Sequence, residues 1–360
     1  MNATAAGPST QDERAHPNGV AWDYIVVLFG GRWRALVAFG LGYAGMAWLG
    51  YHFKSDLAVP AAMWPAAGVL FAALWACEVR FWPIVLITQI AIDVAVSFLF
   101  LHPFPPGTAV LYAISNGLGG AIGAALARRY VSMHPDMRTA RSLQMLIATA
   151  LGAAAGALPG VWGNAQFFGN PMAFITQLEI WSVGNWLGMV TIVPVLNSWL
   201  SPMRQRHPEL ALRSRVELGV LVVLLAVATF HVFGEHGQPS SLVQLPFLLI
   251  ALMLYCAYRL PPRWTATLAM LVALGSVELG LRGGGPFHLP DVFASNVLMQ
   301  GALATLVIVS YTMSMALAEI RLSMSERAES ESRYRSLVEL STEAIWRVEL
   351  DQPMPVSIPA

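Results

Sequence analysis

Apolar residues form long uninterrupted runs between residues 35 and 320, and short loops that carry arginine separate the runs. A helix needs roughly 20 apolar residues to cross the hydrocarbon core of a bilayer, whereas a barrel strand needs only about ten residues of alternating polarity. The pattern therefore predicts an all-α transmembrane bundle of about ten spans. The predicted spans are 35–53, 57–77, 81–101, 108–127, 142–162, 177–200, 216–234, 242–257, 264–281 and 293–317.

The basic residues predict how these spans are oriented. Of the 21 lysines and arginines, only Lys54 and Arg282 fall in loops on one side; the others lie in the N-terminal arm, in the alternate loops or after the last span. Short cytoplasmic loops carry the excess of Lys and Arg in membrane proteins. We therefore expect a multi-pass protein of the bacterial inner membrane with both termini in the cytoplasm.

Composition supports a lipid environment and argues against nucleic acid as a partner. Hydrophobic residues make up 56% of the chain and charged residues 12%, about half the charged share of a soluble domain. The formal net charge is zero, so the chain lacks the basic surplus of a nucleic-acid-binding protein. Cys77 and Cys256 lie near the predicted cytoplasmic ends of their spans, where packing is a better interpretation than a disulfide or a metal site.

Ionisable and amide side chains inside the spans are candidates for a site, because hydrocarbon disfavours them. Asp93 lies midway along the third predicted span, and Gln89 and Ser97 lie one turn away on the same helix face. No lysine or arginine is found at that depth, so we expect the carboxyl group to be protonated or held by amide partners. The remaining polar candidates lie mostly in the outer half of the predicted bundle.

Together these side chains predict a ligand-binding cavity that opens to the periplasm. Its predicted ligand-binding residues are Asp93, Asn116, Glu179, Asn185, Glu278, Asn296, Gln300 and Trp64. Trp64 precedes Pro65, which we expect to kink the second span beside the cavity. Another interpretation is that the glutamates near span ends reach interfacial water, while the amides bond to neighbouring helices. The glycine runs 119/123 and 152/156/160 predict close helix packing, with dimerisation as the lesser alternative.

The chain changes character after Leu317. Residues 319–337 are charged and contain neither Pro nor Gly, which predicts a helix that continues from the last span. A solvated helix and a helix paired with its copy in a homodimer both fit this pattern. Residues 344–350 alternate as a first strand would, and the tail is too short to bury a core. The predicted layout is an arm at 1–33, a transmembrane domain at 34–318, a linker at 319–337 and a poorly ordered segment at 338–360.

Four short motifs resemble the MASE family of membrane-associated sensor domains, and specifically its first class. They are WPAAGV at 64–69, RFWP at 80–83, NGLG at 116–119 and GNWLG at 184–188, the last followed by Pro194. The family pattern leads us to expect Gly-Asp where this chain has Gly184-Asn185, so any role that needs a carboxylate there is in doubt. Residues 334–350, with EAIW at 343–346, resemble the opening of a PAS domain, which implies that 338–360 is the beginning of a truncated PAS-like domain.

The resemblance implies a sensory input module that feeds a histidine kinase or a cyclic-di-GMP enzyme through PAS domains. Its expected partners are the lipid bilayer, a small-molecule ligand or membrane-protein partner, and a second copy. The sequence contains no phosphate loop, kinase His box, GGDEF or EAL stretch, so we expect no enzyme activity, cofactor or metal in this chain. A secondary transporter or solute channel is the alternative, since proline-broken helices and a mid-depth carboxylate also suit one.

Overall fold

The computed structural model describes residues 25–27, 29–54, 60–100, 106–130, 139–167, 173–200, 212–234, 247–282, 285–287, 289 and 291–351. Within these ranges the chain is helical and contains no strand. The α-helices are α1 (Arg32–His52), α2 (Pro65–Ala76), α3 (Trp82–Phe100), α4 (Pro106–Tyr130), α5 (Thr139–Phe167), α6 (Phe174–Leu200), α7 (Leu212–Phe233), α8 (Phe247–Arg259), α9 (Pro262–Leu281) and α10 (Val292–Asp351). A short 3-10 helix at Val79–Phe81 leads into α3.

Seven of the described helices are long and apolar enough to cross a membrane, namely α3 to α7, α9 and α10. The helices α2 and α8 are apolar but have only 12 and 13 residues, and α1 is not among the seven. The chain is therefore a multi-pass membrane protein. Length and composition support seven spans directly, rather than the ten that the sequence predicts.

The second predicted span, 57–77, is only partly helical. The structure begins α2 at Pro65, and the described residues before it, 60–64, are non-helical and mostly buried. Proline at the first helical position loses no hydrogen bond, and the residue before proline avoids helical angles. Trp64 accordingly has φ −117° and ψ 84°. The expected kink at Pro65 is thus wrong, because the proline begins a helix instead of bending one.

Small residues bring α4 and α5 into backbone contact. A Cβ atom added to Gly152 would lie 2.6 Å from the Cα of Gly123, and one added to Gly119 would lie 3.2 Å from the carbonyl oxygen of Gly152. Glycine is needed at these positions because any side chain would push the two backbones apart. The two glycine pairs therefore serve close packing within one chain, as their spacing predicts.

The contacts also show in which direction neighbouring helices run. Consecutive helices are antiparallel where the contacts define the direction, as for α4 with α5 and α9 with α10. Next-but-one helices are parallel, as for α1 with α3 and α2 with α4. Buried apolar residues form two clusters, one among α1 to α6 and one that includes α7 to α10, and α6 contributes to both. The α6 helix is thus the central packing element.

The last helix, α10, has 60 residues. Neither glycine nor proline occurs between residues 302 and 351, so nothing interrupts the helix over this stretch. It ends at Asp351, two residues before Pro353. Residues 344–350 continue this helix, so the strand expected there is wrong. The chain divides into two units, one at Met1–Met315 and a second at Ala316–Ala360. The arm before residue 25 and the segment after residue 351 lie outside the described residues.

Candidate functional site

Asp93 is buried at the centre of a hydrogen-bond network between α1, α3 and α4. The Tyr43 hydroxyl donates to both carboxylate oxygens at 3.0 Å. Gln89 Nε2 donates to Oδ2 at 2.8 Å, and Asn116 Nδ2 donates to the same oxygen at 2.9 Å. Because the interior cannot solvate an unpaired carboxyl group, these three donors are what makes burial of Asp93 tolerable. The sequence leaves open whether Asp93 is protonated or held by amide partners. The structure has two amide partners, Gln89 and Asn116, and adds the Tyr43 hydroxyl.

A cavity lies next to this network, between the end of α1, the segment that leads into α2, and the middles of α4 and α6. It holds roughly 380 Å³ of empty space, its open mouth included. Its lining residues are Tyr51, Lys54, Pro60, Ala61, Trp64, Tyr112, Asn116, Trp181 and Asn185. Asp93 does not line the cavity but is joined to it through Asn116. The structure therefore brings together four of the predicted residues: Asp93, Asn116, Asn185 and Trp64.

Two polar side chains in the cavity wall have no hydrogen-bond partner in the part of the chain that the structure describes. Asn185 is 3% exposed, and no hydrogen bond to its amide forms among the described residues. The indole nitrogen of Trp64 is also buried without a hydrogen-bond partner in the described part of the chain. Buried polar groups are nearly always hydrogen-bonded, to water or a ligand when protein offers nothing. The described residues therefore leave hydrogen-bonding capacity unused at both side chains.

The wall is held in place by backbone contacts between the segment around Trp64 and the GNWLG stretch of α6. The Trp64 N–H donates to the carbonyl oxygen of Gly184 at 3.1 Å. A Cβ atom on Gly188 would lie 2.6 Å from the Trp64 carbonyl carbon, and one on Gly68 would lie 2.6 Å from the Gly188 carbonyl oxygen. Because no side chain fits in between, the two short motifs form one rigid joint, and Trp64 and Asn185 both project from it.

A third element, α10, is tied to the same joint. Gln300 is fully buried, and its Nε2 atom donates to the carbonyl oxygens of Ala62 at 2.8 Å and Ile180 at 3.3 Å. Each acceptor lies next to a cavity-lining residue, Ala61 and Trp181 respectively. Gln300 thus links both walls of the cavity to α10.

A known protein family matches the part of the chain that builds this site. The MASE1 family model matches residues 34–321, which is most of the chain and includes both halves of the joint. The chain belongs to the MASE1 family. It is therefore a membrane-associated sensor domain of a signalling protein. No curated protein and no solved structure gives a match.

Several residues predicted to line the cavity of this MASE1 domain lie elsewhere. Glu179 is exposed on α6, and Glu278 pairs with Arg282 one turn along α9 at 2.5 Å. Asn296 is buried on α10, one turn before Gln300, and neither of these two amides lines the cavity. The glutamates differ from Asp93 because they lie at helix ends, where a carboxylate reaches the surface instead of turning inward.

Other residues of the MASE1 domain that the polar pattern did not single out contribute to the site. Tyr43 and Tyr51 lie two turns apart on α1, so they share one face, and they bond to Asp93 and Ser97 respectively. Tyr112 bonds to Asn164, and its ring lies 5.2 Å from the Lys54 ammonium group. The spacing of the two tyrosines on α1 was the available signal. Nothing local indicated that Lys54, in a predicted loop, would face Tyr112.

A second cavity of the MASE1 domain lies between α5, α6 and α10, with roughly 450 Å³ of empty space, its open mouth included. Its lining residues are Met145, Leu146, Thr149, Met189, Val190, Val193, Pro194, Val307, Ile308, Tyr311 and Thr312. Most of them are apolar. Within the described residues, no group of three His, Cys, Asp or Glu side chains is placed to hold a metal ion.

Proposed function

We propose that this MASE1 domain is the sensory input module of a bacterial inner-membrane histidine kinase or cyclic-di-GMP enzyme. A ligand enters the cavity beside Asp93 from the periplasm and changes the packing of α10. That change passes along residues 319–337 to a cytoplasmic output domain. The segment at 338–360, which resembles the opening of a PAS domain and is helical up to Asp351, leads into that output.

The observation that carries the proposal is the position of Gln300. Its amide donates to the Ala62 and Ile180 carbonyls, one behind each wall of the cavity. A ligand that moves either wall changes one of these hydrogen bonds, and with it the position of α10. A ligand can shift such an equilibrium only by its difference in affinity between the two packings. Because the joint ties the cavity walls to α10, a ligand that fits one position of the walls better than another favours one packing of α10.

Ten passes with both termini in the cytoplasm are part of this proposal. The alternating directions of the helices support it, as does the distribution of arginines. Arg128, at the end of α4, donates to the Trp75 and Cys77 carbonyls at the end of α2. Those two helix ends therefore lie at the same face. A cysteine at the exposed position Ser330 should react with an impermeant maleimide in inside-out vesicles and stay protected in intact cells.

A homodimer is also part of the proposal. Residues 319–337 expose Ile320, Met324 and Tyr334 on a helix stabilised on its surface by the pairs Glu329–Arg333 and Glu331–Arg335. Pairing with a second copy would cover these apolar side chains.

The coupling can be tested with a covalent occupant of the cavity. In a chain whose native cysteines are replaced by alanine, Ala61→Cys is labelled with a bulky maleimide in lipid nanodiscs. Hydrogen exchange of α10 is then compared with and without the label. We expect the label to change exchange in α10, and Gln300→Leu to abolish that response. Thr305→Val is the matched control, because Thr305 is exposed and bonds only within α10. Hydrogen exchange in α10 that is the same with and without the label would contradict the proposal.

A secondary transporter remains the second candidate, since α2 begins after a buried non-helical segment, as broken helices do in transporters. The second cavity weighs against it, because its apolar walls offer no polar exit path for a solute. Accumulation of a cavity ligand in proteoliposomes would favour the transporter. A ligand that binds without crossing the membrane would favour the sensor.

A further inference from the structure

We infer that the cavity binds a small neutral molecule through a hydroxyl group, and that Asp93 selects this group by fixing the amide of Asn116. The ligand class rests on the proposed function, because it concerns that same site. Asp93 is a positioning residue, since it does not line the cavity and acts only through Asn116. Three features support this: the orientation of the Asn116 amide, the other polar groups of the wall, and the charge of the wall.

The hydrogen bonds of Asp93 allow only one orientation of the Asn116 amide. The Oδ2 atom of Asp93 accepts from Asn116 Nδ2 at 2.9 Å and from Gln89 Nε2 at 2.8 Å. The Gln89 nitrogen also donates to the Ala113 carbonyl oxygen at 3.0 Å, so the Gln89 amide cannot be turned over. A carboxylate oxygen that accepts from both amides needs the NH2 group of Asn116, because an amide oxygen in its place has nothing to donate. The amide oxygen of Asn116 therefore points away from Asp93.

This amide oxygen, Oδ1, is the polar atom of Asn116 that can meet a ligand. Asn116 lines the cavity and is 5% exposed. Oδ1 accepts no hydrogen bond from the described part of the chain, and it is not among the polar atoms that the structure closes off completely. A nearly buried acceptor without a protein partner is normally satisfied by water or by a ligand. The cavity therefore presents a hydrogen-bond acceptor, which requires a donor on the ligand.

The other polar groups of the wall favour a hydroxyl group as that donor. The hydroxyl groups of Tyr51 and Ser97 bond to each other, and the Tyr112 hydroxyl donates to Asn164 Oδ1. Both tyrosine hydroxyl groups are therefore engaged with residues outside the lining. The amide of Asn185 has no partner among the described residues, and an amide can both donate and accept. A single hydroxyl group on the ligand can accept from this amide while it donates to the acceptor described above.

The charge of the wall favours a neutral ligand. None of the nine lining residues in the described part of the chain is acidic, so a cation would meet no counter-charge there. The carboxylate of Asp93 lies behind Asn116 and already accepts from three side chains. An anion is disfavoured at Asn116, because its oxygens would face the partial negative charge of Oδ1. Burial of a charge without a partner is costly, whereas a neutral hydroxyl group needs only the hydrogen bonds that the two asparagine amides supply.

The test compares two probes of nearly the same shape, α-methylbenzyl alcohol and acetophenone. The alcohol can donate a hydrogen bond, whereas the ketone can only accept one. Binding of each probe to the full chain in nanodiscs is measured by calorimetry, with empty nanodiscs as the blank. We expect the alcohol to bind at least about tenfold more tightly, because the ketone leaves the Asn116 acceptor without a donor.

Substitutions then distinguish the residue that binds from the residue that positions it. Asn116→Leu should make the two affinities nearly equal. Asp93→Leu should do the same while both probes still bind, because the Asn116 amide can then turn its NH2 group towards the ketone. Asp93→Asn keeps a carbonyl oxygen that can accept from Asn116, so the preference for the alcohol should survive. Asn296→Leu is the matched control, since Asn296 is a buried amide of α10 that does not line the cavity.

Equal binding of the two probes by the native chain, or a preference for the alcohol that survives Asn116→Leu, overturns the inference. Parallel weakening of both probes in Asp93→Leu, with their ratio unchanged, contradicts the positioning role of Asp93. If Asp93→Leu does not fold, loss of the preference in Asp93→Asn contradicts that role instead.

The same experiment separates the ligand class from the proposed function. If neither probe binds, the ligand class is wrong, and labelling at Ala61→Cys still tests the coupling to α10 separately. A preference for the alcohol that leaves hydrogen exchange in α10 unchanged supports the ligand class and contradicts the proposed function.

Discussion

Gly188→Ala should break the joint that holds the cavity wall. The new Cβ would lie 2.6 Å from the Trp64 carbonyl carbon and closer still to its oxygen, whereas ordinary van der Waals contact begins at 3.4 Å. The two backbones must therefore separate by about 0.8 Å or more, the difference between those distances. The Trp64 N–H bond to Gly184, at 3.1 Å, stretches with them.

The expected loss of stability has two parts, the overpacking by the new methyl group and the stretched hydrogen bond. Overpacking a well-filled core costs about 1–3 kcal/mol, and a weakened backbone hydrogen bond adds about 1 kcal/mol. We expect a loss of about 2–4 kcal/mol, which lowers the thermal midpoint by roughly 4–8 °C at about 2 °C per kcal/mol. Ligand binding should weaken too, because Trp64 moves out of place.

Gly219→Ala is the matched control for this experiment. Nothing lies within 4 Å of a Cβ atom at Gly219, in α7, so the same substitution meets open space there. Alanine is favoured over glycine in a helix by roughly 0.5–1 kcal/mol, so this variant should be as stable as the native chain or more so. Thermal unfolding in detergent, followed by circular dichroism, compares the two. Equal midpoints for the two variants would refute the close approach of Gly188 to Trp64.

Two further predictions concern the buried polar and thiol groups. Asp93→Leu should destabilise the domain by about 3 kcal/mol or more, because three buried donors lose their shared acceptor and only Gln89 keeps another one, the Ala113 carbonyl. Glu278→Gln is the control, because it removes only an exposed ion pair with Arg282, so it should change the thermal midpoint little. Similar losses of stability in the two variants would contradict the hydrogen-bond network around Asp93. Cys77 and Cys256 are both fully buried. Mass spectrometry should show slow maleimide labelling in the native domain and complete labelling in SDS, and fast native labelling would contradict their burial.

The order of helices could be predicted because apolar runs leave few alternatives in a membrane. Each of the ten predicted spans corresponds to one described helix. The helix that was predicted to continue from the last span through 319–337 is present, and it extends further, to Asp351. The strand at 344–350 was wrong because two-residue alternation over seven residues is weak, while a long stretch without Pro or Gly lets a helix propagate.

The candidate site was predictable only in part. A mid-span carboxylate with polar neighbours one turn away marks a buried network, so Asp93 and Asn116 could be found from the sequence. Glu278 was misplaced because a charge near a helix end can face either the cavity or the surface, and the pattern alone does not distinguish them. Lys54 and Tyr112 are 58 positions apart, so only the tertiary fold brings them together.

Two of the motifs, WPAAGV at 64–69 and GNWLG at 184–188, act mainly through backbone contacts. Gly68, Gly184 and Gly188 let α2 and α6 touch, which fixes the positions from which Trp64 and Asn185 face the cavity. Those contacts depend on small size and would be the same around any ligand. The side chains of Lys54 and Tyr112 line the cavity but make none of these backbone contacts. Substitutions there should therefore change the cavity of the proposed sensor without separating α2 from α6.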